Sequence, residues 1–358
     1  MNETVRYGII GSGMMGTEHM RNIAAVPGGT VVAYADPHER SRGFGRLTVP
    51  DATAYEDARA LLGDDRVDAV VVATPNHTHR AVMEDVFASG KHVLCEKPLC
   101  TTVDDARWVA ERAAAYDAVF WCGMEYRYMR PVARLIDEVH GGAIGTLTML
   151  SIREHRYPFL TKVADWNRFA RNTGGTLVEK CCHFFDLMRL ITRSEAVRVY
   201  ASGGQDVNHL DERYDGEAPD ILDNAFVVVD FESGARALLD LCMFAEASRN
   251  QEEIAATGDL GKAESFIPSS DFVLGRRRGG ADGRPSVHTE KIAVDPVALA
   301  AGFHHGATFF EHQAFLDAIH ARGPVAVTAE DGLRAVEIGA AAERSVVTGL
   351  PVAIESLR

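Results

Sequence analysis

The sequence predicts an α/β protein in two parts: an amino-terminal, doubly wound parallel sheet, and a C-terminal α+β domain with a large, open, mostly antiparallel sheet. Three observations carry this expectation. Apolar runs bounded by turn residues alternate with amphipathic stretches as far as Gly123, which describes buried parallel strands joined by helices. From Thr146 apolar and polar residues alternate one by one, as in antiparallel strands with one covered and one open face. The length of 358 residues exceeds what a single core supports, so two domains are expected at 1–124 and 125–358, with the last helices packing back toward the first.

Val5 to Ile10 reads as a strand that runs into Gly11-Ser12-Gly13-Met14-Met15-Gly16 and then a helix to about Ala25. The glycines have G-x-G-x-x-G spacing: the first permits a tight turn, the second lets a pyrophosphate approach, and the third lets helix and strand pack closely. The phosphates would meet the positive end of the helix dipole. Thr30 to Ala35 is a second strand, ending in Asp36 about twenty residues after Gly16, where a ribose-binding acid belongs. Together these predict a Rossmann dinucleotide site. A carboxylate there accepts hydrogen bonds from the ribose 2′-OH and repels a 2′-phosphate, favouring NAD over NADP. Arg40 and Arg42 follow closely and are the groups that would tolerate a phosphate, Arg40 being the one placed at the cofactor.

Tyr55 to Leu62 looks helical, and Val67 to Ala73 is a third strand. The loop after it, Thr74-Pro75-Asn76-His77-Thr78-His79, leaves the same sheet edge as the glycine turn, so Thr74, Pro75, Asn76 and His79 are expected at the cofactor. Its two histidines lack an acidic third ligand, and no metal is expected. Arg80 to Ser89 is a helix stopped by Gly90. His92 to Leu99, HVLCEKPL, then delivers Glu96, Lys97 and Pro98 to the crevice at the end of a fourth strand. Pro98 restricts Lys97 to extended backbone and so aims its ammonium. Thr101 to Tyr116 is an amphipathic helix opened by a capping box, Thr102 to Asp105, and Val119 to Gly123 is a fifth strand.

Beyond the EYRYMRP segment, Glu125 to Pro131, a helix runs to His140 and a glycine-bounded turn to Gly145. Strands follow at Thr146 to Arg156, Val197 to Ser202, Leu222 to Phe231, Ala235 to Phe244 and Glu252 to Thr257. Between the first two, Gly174-Gly175 opens a helix on which Glu179 and His183 are i, i+4 neighbours. Gly306 to His320 and Thr328 to Val347 are the last helices, and the tail from Pro351 can return as an edge strand. The run Arg276 to Arg278, among glycines, reads as a solvated loop.

A formal net charge of -14 disfavours a nucleic-acid partner. The chain enters its first strand within a few residues of Met1, with no leader pattern, and no apolar run reaches membrane-spanning length, so a cytoplasmic protein is expected. The six cysteines form no C-x-x-C pair and are expected to be reduced and mostly buried.

GIIGSGMMG with Asp36, TPNHTH, CEKPL, EYRYMRP, Glu179 with His183 and Asp186, and the closing EHQAFLDAI and AEDGLRAVEIGAAAERS stand in one order, and with them the chain resembles the Gfo/Idh/MocA family of NAD(P)-dependent oxidoreductases. That family includes inositol and sugar dehydrogenases. The resemblance implies that its catalytic lysine falls on Lys97 and its helical acid and histidine on Glu179 and His183. Glu179 departs from the aspartate common there, and Lys180-Cys181-Cys182 replaces small residues. Chemically, oxidation of an alcohol needs a hydride acceptor, a base for the hydroxyl proton and a cation for the oxyanion, and Lys97 and His183 can supply the last two. Tyr126, Arg127, His155, Arg156, Trp166 and Arg168 are further expected substrate contacts. The implied activity is NAD-dependent oxidation of a secondary hydroxyl of a sugar, sugar derivative or cyclitol. Alternatives are an enzyme whose tightly bound NAD oxidises transiently to cleave a glycosidic substituent, and a non-catalytic NAD-sensing regulator. A homodimer or homotetramer is expected through the open sheet.

Overall fold

The structure, a computed structural model, describes residues 4–280 and 282–357; the first three residues, Ala281 and Arg358 lie outside them. Two compact units form: the chain up to Tyr128 together with Asp295–Val336, and Met129–Val294 together with the chain from Glu337 onward.

The first unit contains β1 (Val5–Ile10), α1 (Met14–Ala25), β2 (Gly29–Ala35), α2 (Glu39–Thr48), β3 (Thr53–Tyr55), α3 (Ala58–Leu62), β4 (Ala69–Val72), α4 (His79–Ser89), β5 (His92–Glu96), α5 (Val103–Ala114) and β6 (Phe120–Gly123). Its strands are all parallel, in the order β3-β2-β1-β4-β5-β6. The order reverses between β1 and β4, which opens a crevice beyond their carboxyl ends. All four residues of β4 are buried, as expected of a strand covered on both faces. Gly90 stops α4 in the left-handed conformation, and the Thr102 hydroxyl accepts the Asp105 N–H (3.2 Å) to open α5. Tyr55 to Leu62 is not one helix: the chain first pairs β3 with β2, and α3 begins only after Asp57, whose carboxylate accepts the Arg59 N–H (3.0 Å).

The second unit begins with α6 (Arg130–His140), β7 (Leu147–His155), α7 (Ala170–Thr173), α8 (Thr176–Glu179) and α9 (Cys182–Thr192). Strands β8 (Ala196–Gly204), β9 (Asn224–Phe231), β10 (Arg236–Cys242), β11 (Glu252–Gly258), β12 (Gly261–Ile267), β13 (Asp271–Arg276) and β14 (Ser286–Lys291) follow. The chain then returns to the first unit as α10 (Pro296–Ala301) and α11 (Ala307–Ile319), and ends through α12 (Ala329–Thr348) and β15 (Val352–Ala353). The second sheet has the order β14-β13-β12-β11-β7-β10-β9-β8-β15, antiparallel except between β10 and β7. Strands β12 to β14 extend it beyond the last strand expected from sequence, and Arg276 ends β13 instead of lying in a loop. On β7, Leu150, Ile152 and Glu154 face the side covered by α9, while Met149 (57 % exposed), Ser151 and Arg153 face away from it. Phe226 (59 % exposed) and Val228 share that open face.

The segment expected as one helix around Glu179 is two. Gly174 and Gly175 both have positive φ, α8 stops at Glu179, and α9 starts at Cys182. At the break the Cys181 N–H reaches back to the Thr176 carbonyl (3.4 Å), five residues away, and the Phe184 N–H takes the Cys181 carbonyl (2.9 Å), three away. Glu179 and His183 are therefore not spaced as on a continuous helix.

Candidate active site

In the first unit the glycine turn is a backbone cradle. Gly11 has φ +93°, and a Cβ there would lie 2.5 Å from the Ala73 carbonyl oxygen; a Cβ on Gly16 would run into the Gly11 carbonyl. A Cβ on Gly13 would meet nothing within 4 Å, so that face is open to an approaching group. No side chain caps the start of α1 and no acid lies in its first turn, where Met14 and Met15 stand, so its positive end is left for an anion. Ser12 Oγ and Asn76 Nδ2, on the loops after β1 and β4, are buried with no hydrogen-bond partner among the described residues. An unmet buried polar group costs about 1–3 kcal/mol. The phosphates and ribose hydroxyls of a dinucleotide are partners of the right kind, and the residues present fit NAD.

Asp36 follows β2 and accepts the Ser12 N–H (3.0 Å) and the His38 N–H (2.9 Å), which leaves lone pairs for ribose hydroxyls. Arg42 is committed elsewhere: its guanidinium donates to the carbonyls of Asp36 (2.8 Å) and Pro37 (3.0 Å) and pairs with Glu39 and Glu56. It locks the Asp36 turn among acids, surroundings that repel a 2′-phosphate. Arg40 is exposed.

Thr74 and Pro75 are half-buried in the loop after β4. His79 does not face the crevice: it is fully buried, its ring nitrogens 3.0 Å from the Pro98 carbonyl and 3.1 Å from the Thr74 carbonyl, and burial lowers its pKa. It ties the loop after β4 to the loop after β5. Glu96 is turned inward as well. One carboxylate oxygen accepts the Lys97 N–H (3.0 Å) and the other meets His19 Nε2 (2.7 Å), while Lys97 itself is partly exposed at the carboxyl end of β5. Tyr126 and Arg127 brace the 3-10 turn at Glu125–Tyr128. Tyr126 is buried beside His304, and Arg127 donates to the Ala326 carbonyl (2.7 Å) and lies 3.4 Å from Asp331.

The second unit supplies Glu179 and His183, both buried, near the break between α8 and α9. Beneath them lies a charge cluster. Lys180 Nζ is 2.9 Å from Glu154 on β7, and Arg156 lies 3.5 Å from the same carboxylate. Burial, with the Glu154 charge, pushes the neighbouring Glu252 carboxyl up to about 7. At the start of α8, Glu343 on α12 accepts the Leu177 N–H (2.8 Å), and burial pushes its carboxyl up to about 7. Of the other expected contacts, Arg156 joins this cluster, whereas His155 does not. The pleat turns His155 to the opposite face of β7, where it meets Asp240 (3.1 Å). Arg168 is buried against Glu212 (2.9 Å), and Trp166, partly buried in the 3-10 turn at Val163–Arg168, accepts from Asn172 through its carbonyl (3.0 Å).

The structure thus gathers Gly11, Ser12, Gly13, Asp36, Thr74, Pro75, Asn76 and Lys97 at the carboxyl edge of one sheet, and Glu179, His183 and Arg156 around one helix break. Sequence reasoning missed His19, Lys180, His312 and Glu343. For His312 and Glu343 the signal available was an ionisable side chain within a largely apolar helix; Lys180, between two helices, and His19, among other polar residues of α1, carry no such signal. Among the described residues no group of three or more His, Cys, Asp or Glu has a metal-holding arrangement, and no helix is long and apolar enough to cross a membrane.

Comparison with known proteins agrees with this geometry. Residues 5–124 match the model of an oxidoreductase family with an NAD-binding Rossmann fold, and residues 136–354 match that family's C-terminal alpha/beta domain. The chain is 30% identical to inositol 2-dehydrogenase 1 of Saccharopolyspora erythraea over 98% of its own length and 97% of the relative's. It is 28% identical to myo-inositol 2-dehydrogenase of Thermotoga maritima over 99% of each. A crystal structure of a probable dehydrogenase from Thermotoga maritima superposes with a TM-score of 0.80 at 27% identity, covering 99% of this chain and 100% of that one. With a glycine cradle, a ribose acid and a lysine on one sheet edge, and both domains matched, the chain belongs to the Gfo/Idh/MocA family and is an NAD-dependent oxidoreductase.

Proposed function

We propose that the protein oxidises a secondary hydroxyl of a cyclitol or sugar, inositol-like in its ring of hydroxyls. The observation that carries this reading is Lys97, at the end of β5 on the same sheet edge as the nucleotide cradle. Relatives named inositol 2-dehydrogenase support the substrate class. Bound NAD supplies the acceptor for the hydride. Lys97, as an ammonium, stabilises the oxyanion that develops on the reacting oxygen. His183 takes the hydroxyl proton as a neutral imidazole, a role favoured when a cation already serves the oxygen. Glu179 orients a substrate hydroxyl or that imidazole.

The working form is a homo-oligomer. The open face of the second sheet presents Met149, Phe226, Val228 and Tyr200 beside the pairs Arg153–Glu253 and Arg198–Asp230, both signs of charge on one surface, which suits a second copy of itself. A cytoplasmic setting fits six cysteines that are all free thiols.

Purified protein mixed with NAD and a panel of inositols, aldoses and anhydro sugars should produce NADH with at least one ring polyol. Silence across the panel, with NAD binding confirmed by calorimetry, would remove the reading.

A further inference from the structure

We propose that His19 and His312 are positioning residues for Lys97, acting through a buried chain His312–His19–Glu96 that ends on the Lys97 backbone N–H. The inference rests on the reading that Lys97 serves the reacting hydroxyl. His312 Nε2 lies 2.9 Å from His19 Nδ1, His19 Nε2 lies 2.7 Å from Glu96 Oε1, and Glu96 Oε2 accepts the Lys97 N–H at 3.0 Å. All members but Lys97 are buried: the two imidazoles are fully enclosed and Glu96 is 5 % exposed.

The hydrogen bonds fix the protons. Glu96 can only accept, so His19 carries a proton on Nε2, and as a neutral imidazole it presents Nδ1 as an acceptor. His312 must then donate from Nε2, which leaves its Nδ1 as a bare lone pair. That atom is buried and meets no donor among the described residues, and burial, with His19 beside it, holds the His312 pKa well below its ordinary value. A bare lone pair is the cheaper of the two ways to leave that nitrogen unmet, since orphaned buried N–H groups are the rarer event.

The chain also sets the charge beside Lys97. Burial works to raise the Glu96 pKa, but the His19 hydrogen bond, with the charges of Lys97 and His304, outweighs it, and Glu96 is held below the ordinary carboxylate range. Of the other buried acids in this unit, Glu125 and Glu311 behave differently and Glu18 alike. Burial pushes up Glu125 and, with the charges of Glu125 and Glu96, pushes Glu311 well up, while Glu18 is lowered through its contact with His304 (2.8 Å) against the effect of burial. Glu96 is thus an ionised acid adjoining Lys97. An interaction between two groups is reciprocal: if the Lys97 charge favours ionised Glu96, Glu96 favours the Lys97 ammonium by the same amount.

Backbone placement follows from the same contacts. His19 stands on α1, three residues after the last glycine of the cradle, and His312 stands on α11, so the chain joins the phosphate-facing helix to the residue that follows β5. A hydrophobic residue at 19 would fill the space and leave Glu96 buried without its donor, which is the costly half of breaking such a pair.

The test uses Glu96→Gln, His19→Gln and His19→Ala in the full-length protein. It reads NAD affinity, Tm, kcat with a polyol from the panel above, and acylation of Lys97 against pH by peptide mass spectrometry, which needs neither cofactor nor turnover. Glu96→Gln retains an oxygen for the Lys97 N–H but removes the charge. It should move the onset of Lys97 acylation down by about one pH unit, tenfold in the protonation equilibrium. It should also lower kcat roughly tenfold, with NAD affinity within about twofold. His19→Ala should do the same, and His19→Gln, which restores a donor to Glu96, should recover most of the loss. A fall in Tm with Lys97 acylation and kcat unchanged would show a purely structural role and overturn the proposal. Should His19→Ala fail to fold, Glu96→Gln and His19→Gln decide the matter alone. If no polyol is oxidised and the acylation shift still appears, the substrate reading fails and the positioning chain stands; turnover with no shift means the reverse.

Discussion

The nucleotide cradle and the helix pair bearing Glu179 and His183 are built by opposite means. The cradle is chiefly a matter of backbone: Gly11 and Gly16 are required because a Cβ at either would strike a carbonyl, and the start of α1 beside them has no side-chain cap. The helix pair is a matter of buried side-chain charge. Lys180 reaches Glu154 from the break between α8 and α9, Glu252 lies against the same cluster, and Glu343 caps α8 from a distant helix. A backbone site fails by steric exclusion of its ligand. A side-chain site fails by leaving a charge stranded in the core, and should therefore fail as stability first.

The largest effect expected from this contrast is at Lys180. Lys180→Met keeps the length of the side chain but leaves Glu154 with Arg156 alone, and should cost about 3 kcal/mol, of the order of 6–12 °C in Tm. Adding Glu154→Gln should restore most of that loss, because the double variant no longer strands a charge. Thermal unfolding of both variants checks this; equal, additive losses would mean that the pair is not coupled.

Next in size is the cradle itself. In Gly16→Ala the new methyl meets the Gly11 carbonyl, so α1 must back away from the turn, and NAD affinity should fall at least about 100-fold, near 2.7 kcal/mol. Calorimetric titration measures it, and Tm should change less than in Lys180→Met. An alanine variant that binds NAD normally would erase the contrast between the two regions.

The same contrast explains what could be read in advance. Gly11, Gly13, Gly16 and Asp36 are legible because a backbone cradle fixes their spacing along the chain, and the parallel strands are legible because burial on both faces leaves uninterrupted apolar runs such as Val70 to Val72. Strands β12 to β14, GKAESFI, DFVLGR and SVHTEK, carry no such run; their charged residues sit on a half-open sheet and look like loop. The break after Glu179 has no proline or glycine to mark it. His19 meets Glu96 across 77 residues and His312 across 293, and no local pattern records a pairing of that span. His155 is a different case, since alternation from Leu150 and Ile152 already turns it away from Glu154. Sequence also could not show that Arg42 and Arg127 would be consumed by backbone carbonyls.

Smaller effects refine each side. Asp36 serves the cradle twice, holding the Ser12 N–H and leaving lone pairs for the ribose. Asp36→Ser keeps a short acceptor but removes the charge that repels a 2′-phosphate, and should narrow the NAD/NADP ratio in kcat/KM by about tenfold, or 1.4 kcal/mol. An unchanged ratio would place the ribose away from Asp36.

The smallest effect separates the charge of the helix pair from its shape. Burial raises the Glu343 carboxyl to about 7, against the Leu177 N–H bond that favours ionisation. A carboxyl raised in the folded state gives its full contribution to stability below its ordinary unfolded pKa and loses it as pH rises through the folded value. Between about pH 6 and pH 8 the loss from this one group is roughly 1 kcal/mol. Glu252, also raised to about 7, has the same sign, so wild-type stability should decline across that window with both groups contributing. Glu343→Gln keeps an oxygen for the Leu177 N–H and cannot ionise, so it should flatten the decline without abolishing it. Urea unfolding at a series of pH values measures the slope. A variant whose slope equals that of the wild type would mean that Glu343 stays ionised in the fold, and that α8 is capped by a charge rather than by a neutral acid.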